Sequence, residues 1–147
     1  MQTDYTVFMQ HDLTTQADLE TLLRHFYTLV FKDPIIGYLF VDVAKVDLEA
    51  HIPTVASFWS DQLLISQGEY SGELFKAHLD VHSKAKLRPG HFTRWLHLLD
   101  KSVVECGFSG PKTNRLLELA QRIAKSMNAA LNSQKRNVTK LSLKEML

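Results

Sequence analysis

Apolar side chains return every three or four residues through three long stretches of this chain, and that spacing commits most of it to helix. The first stretch follows Thr14-Thr15-Gln16-Ala17-Asp18, where either Thr can cap and the early Asp favours a helix N-terminus. Leu19, Leu22, Leu23, Phe26, Tyr27 and Val30 then share one face until Asp33-Pro34, where the residue before proline is driven out of the helical region. Residues 35–40 read as a short apolar connector broken by Gly37. The second stretch spans about residues 47–66, with Leu48, Ile52, Val55, Ala56, Trp59 and Leu63 in line. Pro53 fits there without strain if regular helix begins near His51, and otherwise predicts a bend. Residues 69–90 are looser, with one short helix expected over 74–81. Pro89 opens the next helix, which carries Phe92, Trp95, Leu96, Leu99 and Val103 and ends at a Gly107 cap. Ser109-Gly110-Pro111 opens the last, lined by Leu116, Leu119, Ala120, Ile123, Ala124, Met127 and Leu131. The fold class is therefore all-α, with five or six helices in one domain over 1–131 and a polar basic tail over 132–147 (Lys135, Arg136, Lys140, Lys144).

Composition removes the competing classes. Six Gly and four Pro are too few for a many-stranded fold, which uses turn residues freely. Seventeen basic against sixteen acidic side chains leave no bulk field to attract nucleic acid. No apolar run approaches the roughly 18 residues of a membrane span. The lone Cys106 excludes an internal disulfide and fits a reducing compartment; near a helix end it is expected buried and inert. Met1-Gln2-Thr3-Asp4 shows neither a basic nor an apolar leader segment, so the expected location is cytoplasmic.

Histidines and aromatics carry the functional signal. His51, Val55, Phe58, Trp59 and Gln62 share a face that is apolar apart from one imidazole and one amide. Taken alone, such a His is more often a hydrogen-bonded core residue than a ligand, and Tyr27 more often a core phenol with its hydroxyl at the edge. His78 and His82 stand four apart and would share a helical face, as a divalent metal requires. Two imidazoles without a Cys or carboxylate make a weak metal site, and a solvated amphipathic turn explains them as well.

The ordered set is more specific than its members. Phe26-Tyr27, Asp33-Pro34 with Gly37 and Phe40, His51 seven residues before Phe58-Trp59, Tyr70-Ser71-Gly72 with His78 eight after the Tyr, His91-Phe92-Thr93-Arg94-Trp95-Leu96, and Arg122-Ile123-Ala124-Lys125-Ser126 follow in sequence from about Ala17 to Leu131. This series resembles the group III truncated haemoglobins of bacteria. The resemblance implies a truncated-globin helical sandwich around a haem b pocket. Haem is a broad apolar plate with two propionates and needs aromatic and aliphatic walls with one axial ligand. The walls fall to Phe40, His51, Val55, Phe58, Trp59 and Phe92. The resemblance assigns the iron to His78 and the ligand donors to Tyr27 and Trp95. His51 takes the gating position, where it can donate to the ligand, swing outward or bind iron.

Three departures stand against the family pattern. Glu73-Leu74 replaces a common Asn-Pro, Leu48 replaces a common Trp, and the distance from His78 to Trp95 is longer than in short members. His82 would restore the shorter spacing and is the fallback iron ligand. The function implied is binding of dioxygen, nitric oxide and carbon monoxide, with nitric oxide dioxygenation or peroxidase-like chemistry supported by an external reductase, since the chain has no flavin- or NAD-binding segment. A haem-free helical sensor or interaction module is the alternative. No Gly-x-Ser-x-Gly supports a hydrolase.

Overall fold

A computed structural model describes residues 10–65 and 73–132. Tyr70-Ser71-Gly72 and the basic tail from 133 onward lie outside the described residues. Within them the helices are α1 (Gln16–Lys32), α2 (Leu48–Ser60), α3 (Glu73–Lys84), α4 (Pro89–Cys106) and α5 (Pro111–Leu131). Two π-helical segments, Leu39–Val43 and Asp61–Ile65, precede and follow α2. The described residues form no strand; an isolated bridge joins His11 to Phe108.

Local chemistry explains the boundaries. The Thr15 hydroxyl accepts from the Asp18 N–H at 3.0 Å while Asp18 Oδ2 accepts from the Thr14 and Thr15 N–H groups, a reciprocal cap that starts α1. Asp33 ends it in extended conformation, as a residue before proline must. Gly107 takes a left-handed φ of 77° after α4, and the Phe108 N–H reaches back to the Val103 carbonyl at 3.1 Å. A more distant cap starts α5. Asp12 accepts from the Lys112 and Thr113 N–H groups and from the Thr113 hydroxyl at 2.8–2.9 Å, tying the chain before α1 to a helix a hundred residues away.

The structure refines three expectations. The connector at 35–40 is not irregular: a turn after Asp33 leads through Gly37 into the π-helical Leu39–Val43. A Cβ at Gly37 would lie 2.9 Å from the Phe31 carbonyl oxygen, so glycine lets this segment fold back against the end of α1. α2 begins at Leu48, where the stretch from about residue 47 places it, and not as late as His51, so Pro53 lies within it; the Glu49 carbonyl loses its backbone donor on an exposed face that water can reach. α3 extends over twelve residues, beyond the short helix expected at 74–81.

Packing follows the stripes. α1 lies against α2 and α4, and α4 against α5, burying Leu19, Leu22, Phe26 and Val30 with Ile52, Leu99, Leu116 and Met127. Each such side chain contributes roughly 1.5–3 kcal/mol on burial. α3 touches α5 and the Leu39–Val43 segment more lightly. Between α3 and the packed helices a hollow remains, and the functional residues converge there.

Candidate functional site

The hollow is a cavity of about 220 Å³ bounded by all five helices and the segment between α1 and α2. α1 contributes Tyr27, on the stripe that also buries Leu23 and Val30. α2 turns His51, Val55, Phe58 and Trp59 inward, positions that share a face at the helical period. α3 presents His78 between Ala77 and Val81, α4 presents His91, Phe92 and Trp95, and Phe40 comes from the π-helical segment. The anticipated walls Phe40, His51, Val55, Phe58, Trp59 and Phe92, the donors Tyr27 and Trp95, and His78 thus line one cavity, and the fallback His82 does not. Sequence reasoning missed several neighbours in it. Ile123, Ala124 and Met127 of α5 were legible only as a helix stripe, and Ile36, Leu39 and Val46 had no periodic signal.

The polar groups pair in a definite way. Tyr27 is 5% exposed, and its hydroxyl stands 3.0 Å from His51 Nε2 with the two rings edge-on at 4.9 Å. Phe26 and Phe40 pack their edges against the phenol at 5.0 and 6.0 Å. Burial pushes the Tyr27 phenol well above its ordinary value, so it stays protonated and able to donate. Burial, and then the proximity of His78, holds His51 below the usual imidazole value and hence neutral at pH 7. A neutral imidazole leaves two arrangements. Either Tyr27 donates to an unprotonated Nε2, or Nε2–H donates to the Tyr27 oxygen and frees the phenolic proton for a third group in the cavity. Trp95 packs edge-on against Phe26 at 5.9 Å and 87°. Its indole N–H has no hydrogen-bond partner among the described residues.

The two α3 histidines differ in surroundings. His82 Nδ1 accepts from the Leu87 N–H at 3.0 Å, closing the loop between α3 and α4, and its ring is not in the cavity wall. Burial, and then Lys86, holds its basicity down, which keeps that acceptor available. His78 is the α3 imidazole in the cavity wall. His91, quoted in the sequence motif without a role, caps α4: its Nδ1 accepts from the Arg88 N–H at 3.0 Å, so the ring proton sits on Nε2, which faces the Tyr38 hydroxyl at 3.5 Å. Among the described residues no group of three or more His, Cys, Asp or Glu is placed to hold a metal ion. The divalent His78/His82 site therefore has no third ligand there.

Haem needs an apolar slot, an imidazole for the iron and hydrogen-bond donors for a bound ligand, and the wall holds residues of each kind. The residues present fit that group. Elsewhere, a shallow hollow between α1 and the end of α4 is polar, lined by Glu20, Arg24, His25 and Cys106. Cys106 is partly exposed rather than buried, because it lies at the last turn of α4; burial and then Glu105 raise its thiol, so it is mostly protonated at pH 7.

No helix among the described residues is long and apolar enough to cross a membrane. No protein-family model matches this chain, and no curated protein matches it. Among solved structures, the chain is similar to the crystal structure of group III truncated haemoglobin from Campylobacter jejuni. The TM-score is 0.72 at 26% identity, over 86% of this chain and 98% of that one. The all-α truncated-globin fold and the likeness to group III expected from the ordered motifs are thereby shown.

Proposed function

We propose that this chain, having the fold of a truncated haemoglobin, is a haem b protein that holds dioxygen and other diatomic ligands such as nitric oxide and carbon monoxide. One observation carries the reading: His78, Tyr27, His51 and Trp95 all lie, with His91, in the wall of a single cavity whose other lining residues are apolar. Haem supplies an iron that binds diatomic gases and changes oxidation state.

The chain's own residues do the rest. His78, on α3, is the imidazole that would hold the iron. Phe40, Val55, Phe58, Trp59 and Phe92 would wall the porphyrin and keep water from it, which strengthens every electrostatic contact inside. Tyr27 and Trp95 are donors toward a ligand that gains negative charge on binding; each such bond is worth about 1.5–3 kcal/mol. His51 is bonded to Tyr27 and half-buried, so it can support that phenol from behind or turn toward the surface. Nitric oxide dioxygenation and peroxidase-like turnover both suit this donor pair, and either needs electrons from a separate reductase.

The deciding experiment is an absorption spectrum of the purified chain, reconstituted with haemin if necessary, in ferric, ferrous and carbon-monoxide-treated forms. A Soret band that shifts on reduction and again with carbon monoxide is expected. No Soret band after haemin would favour a haem-free helical module. Mixing the oxygenated protein with nitric oxide should convert it rapidly to the ferric spectrum, and a slow conversion would remove the dioxygenase proposal.

A further inference from the structure

Asp33 is charged, and its side chain is only 3% exposed at the corner where α1 ends. Both carboxylate oxygens are fully used. Oδ2 accepts from the Ile35 and Ile36 N–H groups at 3.0 Å each, shaping the turn that leads into the π-helical segment. Oδ1 accepts from Arg94 Nε at 2.9 Å and Nη2 at 2.6 Å, sixty-one residues away on α4. Burial works against the Asp33 charge, but the guanidinium and the two backbone N–H groups outweigh it and hold the carboxyl below its ordinary range.

The neighbours on each side give this pair its meaning. Arg94 is adjacent to Trp95, the α4 donor in the cavity wall. Asp33 ends the helix that carries Tyr27, and the turn it shapes holds Ile36 and leads to Leu39 and Phe40 of the π-helical segment, all three of which line the cavity. Phe40 and Phe26 in turn press on Tyr27, and Phe26 on Trp95. A single buried carboxylate thus joins the two elements that bear the two donors.

We infer that Asp33 and Arg94 form a positioning pair that fixes how Tyr27 and Trp95 stand relative to one another in the cavity wall. The inference rests on the haem-globin reading for its consequence, though not for its geometry. Two N–H groups of one guanidinium converge on one oxygen, which a lysine ammonium cannot reproduce. Arg94→Lys keeps the charge and loses the fork; Asp33→Asn keeps an acceptor and loses the charge.

The test uses the full chain loaded with haemin, reduced, and saturated with carbon monoxide. The carbon monoxide stretching band reads the donor field directly. Arg94→Lys and Asp33→Asn should both raise its frequency toward that of the Trp95→Phe variant and speed dioxygen release by roughly fivefold. Arg24→Gln, which removes the exposed pair with Glu49, should leave the band in place. A purely structural role would lower the unfolding temperature yet leave band and off-rate unchanged, and that result overturns the inference. If wild-type protein takes up no haemin, the haem reading fails. The positioning claim is then judged on the haem-free chain with Trp95 as sole tryptophan (Trp59→Phe): altered acrylamide quenching of Trp95 on adding Asp33→Asn supports it, and unchanged quenching overturns it.

Discussion

Replacing Tyr27 with Phe removes one oxygen and keeps the ring that packs against Phe26 and Phe40. The lost hydroxyl is bonded to His51 Nε2 at 3.0 Å in a site that is 5% exposed. In the haem-free chain the cost is one neutral hydrogen bond, about 0.5–1.5 kcal/mol, and the unfolding temperature should fall by about 1–6 °C. In the loaded protein the cost is larger, because the acceptor is a ligand carrying partial negative charge. A bond of about 1.5–3 kcal/mol corresponds to dioxygen release roughly 10- to 150-fold faster. In the arrangement where His51 Nε2–H donates to the Tyr27 oxygen, His51 acts only through the phenol, polarising its hydroxyl and strengthening that bond by about 10–30%. His51→Leu should therefore accelerate release only about 1.3- to 5-fold, and should add almost nothing on the Tyr27→Phe background. Stopped-flow displacement of dioxygen from the four proteins of this cycle measures the coupling. An unchanged off-rate in Tyr27→Phe would refute the donor assignment. Equal acceleration by His51→Leu on both backgrounds would show that His51 meets the ligand itself.

Other substitutions test separate parts of the account. His78→Ala should abolish or greatly weaken haem retention with helicity largely intact, while His82→Ala keeps haem and loses only the bond to the Leu87 N–H; titration with haemin followed by gel filtration reads both, and the opposite pattern would move the iron to His82. Asp12→Ala removes the cap on α5 and should cost about 1–2 kcal/mol, or about 2–8 °C in calorimetry. Gly110→Ala should be at least as damaging, since φ is 137° there and the added carbon would stand 2.6 Å from Asp12 Cγ. Acid should expose the same contacts: burial opposes ionisation of Asp12 and Asp33, but their hydrogen bonds prevail and place both below the ordinary carboxyl value of 3.8. Their stabilisation is thus complete above pH 3.8 and is lost as pH falls through the folded values, and Asp12→Asn should flatten that part of a circular-dichroism acid titration.

The helix bounds written in local chemistry could be read directly from the sequence. Thr15 and Asp18 cap each other within one turn, and Asp33 before Pro34 ends α1, so that helix is legible at both ends. Gly107 and Pro111 mark the break between α4 and α5 in the same way. The connector was not legible, because a π-helical turn has no period of its own. It forms at Leu39–Val43 because Gly37 can approach the Phe31 carbonyl and because Ile36 and Leu39 find a buried wall. α3 was read too short for a related reason. It packs lightly, so its apolar stripe is sparse, and the His82 bond that closes its far end depends on where Leu87 comes to lie.

The cavity divides along the same line. Residues sharing a face within one helix, such as His51 with Val55, Phe58 and Trp59, are gathered by periodicity, and the ordered motifs supply the partners on other helices. What no local pattern encodes is how those helices are held in relation to each other. Asp33 reads in sequence as a helix stop and Arg94 as one letter of a motif, yet the two meet across sixty-one residues in the corner between the α1 and α4 walls. Asp12 carries no signal at all for its role, since its partners lie a hundred residues on. Both carboxylates are short, buried or half-buried, and saturated with donors, which is the arrangement that makes an ion worth keeping inside a small helical protein. Ligand affinity in a haem-loaded chain of this kind would therefore be set twice. Under the proposed haem reading, the donors Tyr27 and Trp95 would determine which bonds can form, and polar ties outside the cavity would determine whether those donors stand where the bonds are short.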